Sequence, residues 1–157
     1  MTTIQNIQRI NEAIIVNAKN KNIIFSIDLF DYRFKVLERL NNLIGLVLEN
    51  KTRANVNKIQ KLVYEIYSDF VICNFIERGD FDYSLEVALK TYSSKPTDKV
   101  DLICSLFSVF QSINSTVGLE YEPKIFSRYD CTIRAIDILL RICKVYSLDF
   151  KEVILGD

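Results

Sequence analysis

The chain has 157 residues, with 20 basic and 20 acidic side chains and no histidine. The length fits one domain, read here over 1–157, and the cancelling charge leaves no global field to attract nucleic acid or anionic lipid. A hydrophobic share of 49% excludes disorder, while four glycines and two prolines leave little material for hairpins, so the chain reads as all-α.

Ile4, Ile7, Ile10 and Ile14 mark one face of a first helix, with Thr2 or Thr3 to cap it. The polar stretch 17–22 ends that helix, and Ile23 to Ile27 reads as an extended linker or a short strand. A second helix carries Phe34, Val36, Leu37, Leu40, Leu43, Ile44, Val47 and Leu48, with Asp28 or Asp31 at its start and the polar run Glu49 to Asn55 after it. A third runs from Val56 through Ile59, Leu62, Val63, Ile66, Tyr67 and Phe70 to Val71, stopping before Gly79. Asp82 is expected to cap a short fourth helix bearing Leu85, Ala88 and Leu89.

Pro96 with Thr97 or Asp98 then starts the most distinctive segment, LICSLFSVFQSINSTVGL (102–119), which contains no charge. Its apolar residues surround most of a helix, which predicts burial on nearly all sides. Its polar residues are too many for a membrane span. Phe126, Tyr129, Ile133, Ile136, Leu140 and Cys143 form a three-four stripe on a sixth helix, and a last short turn runs from 147–150 to Leu155. The expected architecture is six or seven helices around that central apolar one.

Cysteines 73, 104, 131 and 143 sit in apolar helical patterns at separations that match no zinc spacing, which reads as buried free thiols. The first apolar residues are spaced, unlike a secretory leader. No glycine-rich phosphate loop or paired-cysteine motif is present, and without histidine there is no ordinary general base near neutral pH. No metal or organic cofactor is expected. LRICKVYSLDFKEVI (140–154) is similar to the tail of all-α nucleotide pyrophosphohydrolases of the MazG type. Those enzymes need facing carboxylates for magnesium where this chain has Leu106, Val109, Cys131 and Arg134, so the protein reads as a non-enzyme. Glu65 and Asp69, four apart, read as a solvated helix face, the other option being a cation or a basic partner. The runs Leu46–Leu48 and Val71–Cys73 give helices two and three wide apolar faces, whose surplus would line a groove for a partner helix.

ALKTYSSKPTDKVDLI (88–103) followed by LFSVFQSIN (106–114) resembles the central-helix region of the myxoma-type poxviral apoptosis inhibitors, with TRANVNKIQKLVYEI (52–66) a looser match. KIFSRY (124–129) with IRAI (133–136) resembles helix six of the vaccinia-type Bcl-2-like inhibitors of innate immune signalling. The cellular Asn-Trp-Gly-Arg motif is absent, as the chain has no tryptophan. The resemblance implies a Bcl-2-like bundle and a viral, non-enzymatic role in immune evasion. Its first implied function is sequestration of host pro-apoptotic Bcl-2-homology-3 helices in a groove lined by Val47, Ile59, Val63, Ile66, Phe70, Leu85, Leu89, Ile103 and Phe107, with Lys99 standing in for the ligand-pairing arginine. The alternative is inhibition of Toll/NF-κB signalling by adaptor binding through an outer or homodimer face, with the groove closed. Host cytoplasm is the expected location, or the mitochondrial outer membrane if an apolar anchor follows Asp157.

Overall fold

The computed structural model describes residues 3–22, 29–91, 97–116 and 124–156. Among them lie seven helices and no strand: α1 (Thr3–Asn20), α2 (Leu29–Leu48), α3 (Arg53–Ile76), α4 (Phe81–Thr91), α5 (Lys99–Asn114), α6 (Tyr129–Val145) and α7 (Phe150–Leu155). The all-α reading holds. The expected linker at Ile23 to Ile27, Thr2, Asp28, Pro96 and the break at Gly118 to Pro123 lie outside the described residues.

Local chemistry sets the starts of the helices. Thr52 Oγ1 accepts the Asn55 amide at 3.2 Å and starts α3, so the polar run 49–55 contributes a first helical turn instead of ending short of it. Asp98 caps α5 through the Asp101 amide at 2.8 Å, and Asp149 caps α7 through the Lys151 amide at 3.0 Å. The cap of α4 is Asp80, which accepts the Tyr83 amide at 3.1 Å; Asp82, the expected cap, sits inside the first turn. Phe126 precedes α6 and is nonetheless fully buried.

The centre of the molecule is α3, which corrects the sequence reading. Helices α1, α2, α4, α6 and α7 all pack on it, and from Ile66 to Asn74 only Ser68 is not buried. Tyr67 shows how that is satisfied. Phe81 of α4 and Phe150 of α7 stand edge-on to its ring at 5.6 and 5.3 Å, and its hydroxyl donates to Asn11 Oδ1 of α1 at 2.6 Å. Helix α5, which carries the uncharged run from Leu102, buries a single stripe (Leu102, Leu106, Val109 and Ile113) between α2 and α6. Its other side is solvated: Cys104 is exposed, Val100 is 67% exposed and Phe107 47%.

Polar side chains lock the layers together. Arg134 of α6 donates to Ser108 Oγ at 2.9 Å and Ser112 Oγ at 3.1 Å, and Arg141 donates to Ser105 Oγ at 3.3 Å, so the serines of the uncharged run receive their cations from the neighbouring helix. At the end of α3, Asn74 Nδ2 donates to the Phe126 carbonyl at 2.6 Å, while Glu77 Oε1 accepts the Ser127 amide at 2.9 Å. The chain passes so close there that a Cβ on Gly79 would sit 2.9 Å from the Ser127 Cα, which makes glycine a requirement.

Candidate partner-binding surface

The residues expected to line a groove do not form an open one. Val47, Ile59, Val63, Ile66, Phe70 and Leu85 all lie in the core, none more than 1% exposed. Leu89 and Ile103 are half-buried against that core, and Phe107 is on the surface. Lys99 does not wait for a ligand: its Nζ donates to the carbonyls of Leu48 and Glu49, both at 3.2 Å, at the end of α2 where the helix dipole favours a cation.

Helix α2 buries the expected stripe from Val36 to Val47 and departs from expectation at its two ends. Arg33 is buried and donates to Thr116 Oγ1 at 3.1 Å, while Phe34 and Leu48, expected in the core, are 48% and 59% exposed. Of the two apolar runs singled out, Val71 to Cys73 is wholly buried and only Leu46 to Leu48 leaves a surplus.

Two contacts fix how α2 and α5 run. Arg33 meets Thr116 at one end and Lys99 meets Leu48 at the other, so the helices are antiparallel. Equal helical rise then sets Val100 level with Leu48, Ile103 with Gly45 and Phe107 with Asn41. Tyr32 and Arg39 turn one flank of α2 toward α3, and Ser105, Ser108 and Ser112 turn one flank of α5 toward α6. The opposite flanks therefore meet along the α2–α5 seam. Leu48, Val100 and Phe107 form an exposed strip along this seam with Cys104 and Gln111, and the Lys99 ammonium sits at the Leu48 end; Asn41 and Gly45 line a cleft shared with Glu49, Lys58, Lys61 and Glu65.

Glu65 and Asp69 are not a solvated face. Asp69 is buried, with Arg39 Nη1 hydrogen-bonded to both of its carboxylate oxygens and the Tyr32 hydroxyl donating to Oδ1 at 2.5 Å. Arg39 Nε reaches Glu65 Oε2 at 3.2 Å. The cation that this pair holds is the protein's own, at the α2–α3 seam. Burial pushes the Asp69 carboxyl above its usual range, opposed by its bonds to Arg39 and Tyr32.

The thiols separate into two kinds. Burial pushes Cys131 and Cys143 up to about 12 and raises Cys73 well above its usual value, so all three are poor nucleophiles. Cys104 departs from the expected burial and stands on the strip. Titration of the folded protein with a thiol reagent is expected to modify one cysteine quickly and the other three only on unfolding; fast modification of two or more would contradict this arrangement. No group of three or more His, Cys, Asp or Glu among the described residues is placed to hold a metal ion, and no described helix is long and apolar enough to cross a membrane. No family model, curated protein or solved structure matches the chain.

Proposed function

We propose, from the resemblance of 88–114 and 124–136 to the poxviral Bcl-2-like proteins, that the protein is a non-catalytic helical interaction domain that inhibits host innate immune signalling by holding an adaptor protein against the α2–α5 strip. Its central helix is α3 and not α5, a departure from the arrangement that the resemblance implies. The observation that supports a docking surface there is the exposure of Leu48, Val100 and Phe107 beside a closed core. Apolar side chains that the fold leaves about half wet gain by burial against a partner, about 1 kcal/mol each when the remainder is covered. The pro-apoptotic-helix reading stands second, because its groove residues are already buried against one another and the helices would have to separate to admit a ligand. The proposed setting is the host cytoplasm, with the strip also available to a second copy of the chain.

The test pairs two measurements. Expression in cells carrying an NF-κB reporter is expected to suppress the signal, and the Val100→Glu/Phe107→Glu double variant to relieve that suppression. Both positions are exposed, so the melting temperature is expected to shift by only a few degrees. Calorimetry with a panel of synthetic pro-apoptotic helices is expected to show no heat. Heat with any of them, or suppression indifferent to the double variant, sinks the proposal.

A further inference from the structure

We propose that a second surface, the groove between α1, α3 and α7, receives an amphipathic helix with acidic residues at both ends, presented by a partner protein. The groove encloses about 570 Å³. Half-buried Ile10 and Ile14 form one wall, Tyr64, Ser68 and Ile72 the other, and Ile154 of α7 closes the floor. Helices α1 and α3 run parallel, because Asn11 meets Tyr67 and Lys19 lies over the Phe75 ring, so the groove is straight.

Charge selects the occupant. The charged residues lining this groove are Arg9 and Lys21, and neither side chain has an ion-pair or hydrogen-bond partner among the described residues. Lys21 still follows the helical path, its amide bonded to the Asn17 carbonyl at 3.1 Å. Twelve residues at helical rise put the two cations about 18 Å apart, some three turns of an occupant helix. The other flank of α1 is the reverse: Glu12, Asp80 and Asp82 line a smaller notch of about 190 Å³. An apolar floor with a cation at each end matches a helix whose apolar stripe is flanked by carboxylates.

The probe is a synthetic three-turn peptide with leucines one turn apart and glutamates at both ends, compared by fluorescence anisotropy with the same peptide ending in lysines. The full chain is expected to bind the glutamate peptide about tenfold more tightly. The Arg9→Glu/Lys21→Glu variant is expected to invert that preference. Both positions are exposed, and binding of the opposite peptide would show that the variant is folded. Equal affinity for the two peptides, an unchanged preference in the variant, or no peptide binding each overturns the proposal. Binding of phosphatidylserine vesicles in place of both peptides makes the groove a lipid site and overturns it too. This binding is expected to survive Val100→Glu/Phe107→Glu, which separates it from the adaptor reading.

Discussion

Replacing Asp69 by alanine is expected to lower the unfolding free energy by about 3 kcal/mol, read from urea denaturation. Asp69 is 2% exposed and is the acceptor for both Arg39 and the Tyr32 hydroxyl. Its removal leaves a guanidinium and a phenol at the α2–α3 seam facing a cavity, and breaking a buried pair in this way costs roughly 3–5 kcal/mol. The lower end applies because Arg39 keeps Glu65 and some contact with solvent. Asp69→Asn keeps the shape and an acceptor for Tyr32, so its cost is expected to be about half as large. The pH dependence follows from the direction of the shift. The folded carboxyl titrates above the ordinary 3.8, so between that value and its own the folded state binds more protons than the unfolded one. Stability contributed by this group therefore falls as pH rises through that window, and the slope should vanish in Asp69→Asn. A cost below about 1 kcal/mol for the alanine variant would mean that the seam is wetter than described.

Phe126→Ala is expected to be at least as damaging, at roughly 3–5 kcal/mol. The ring is fully buried and meets Phe70 edge-on at 5.4 Å. Its carbonyl accepts from Asn74 and from Thr132 Oγ1, the latter at 2.7 Å, so the residue also ties the segment before α6 to the end of α3. Phe107→Ala is the matched control. Its ring is half in water, and the expected cost is below about 1 kcal/mol by the same denaturation measurement. Sequence spacing assigns both phenylalanines to apolar stripes; equal costs would restore α5 to the centre of the molecule and refute the arrangement described above.

That contrast shows where the sequence was legible. Helix identities follow from three-four spacing, and Asp98 and the final helix at Leu155 fall where turn and cap chemistry place them. The choice of central helix did not follow, for a physical reason. Lack of charge predicts burial, but Ser105, Ser108 and Ser112 meet arginines of α6, a pairing that no local pattern in 102–119 reveals. Conversely, α3 looks amphipathic because it carries Tyr67, Asp69 and Asn74, each of which is buried through a partner at least 30 residues away. The expected groove failed for the same reason: Val63, Ile66 and Phe70 belong to the helix that all but α5 pack around. The surplus apolar surface was foreseen in kind, and Leu48 carries part of it, but the rest lies on Val100 and Phe107 of the helix expected to be buried.

The polar ties have a consequence for how the chain assembles. Tyr67 reaches back 56 residues to Asn11, Arg33 forward 83 to Thr116, and Asn74 forward 52 to Phe126. Each needs a long stretch of chain closed before it gains anything, whereas the helices themselves form from neighbours. Such ties are expected to form after the barrier is crossed, with φ-values near zero for Asn11→Ala and Asn74→Ala in folding kinetics. Cutting one then leaves the rate of reaching the native state nearly unchanged and hastens escape from it, so these ties govern how long a folded molecule lasts.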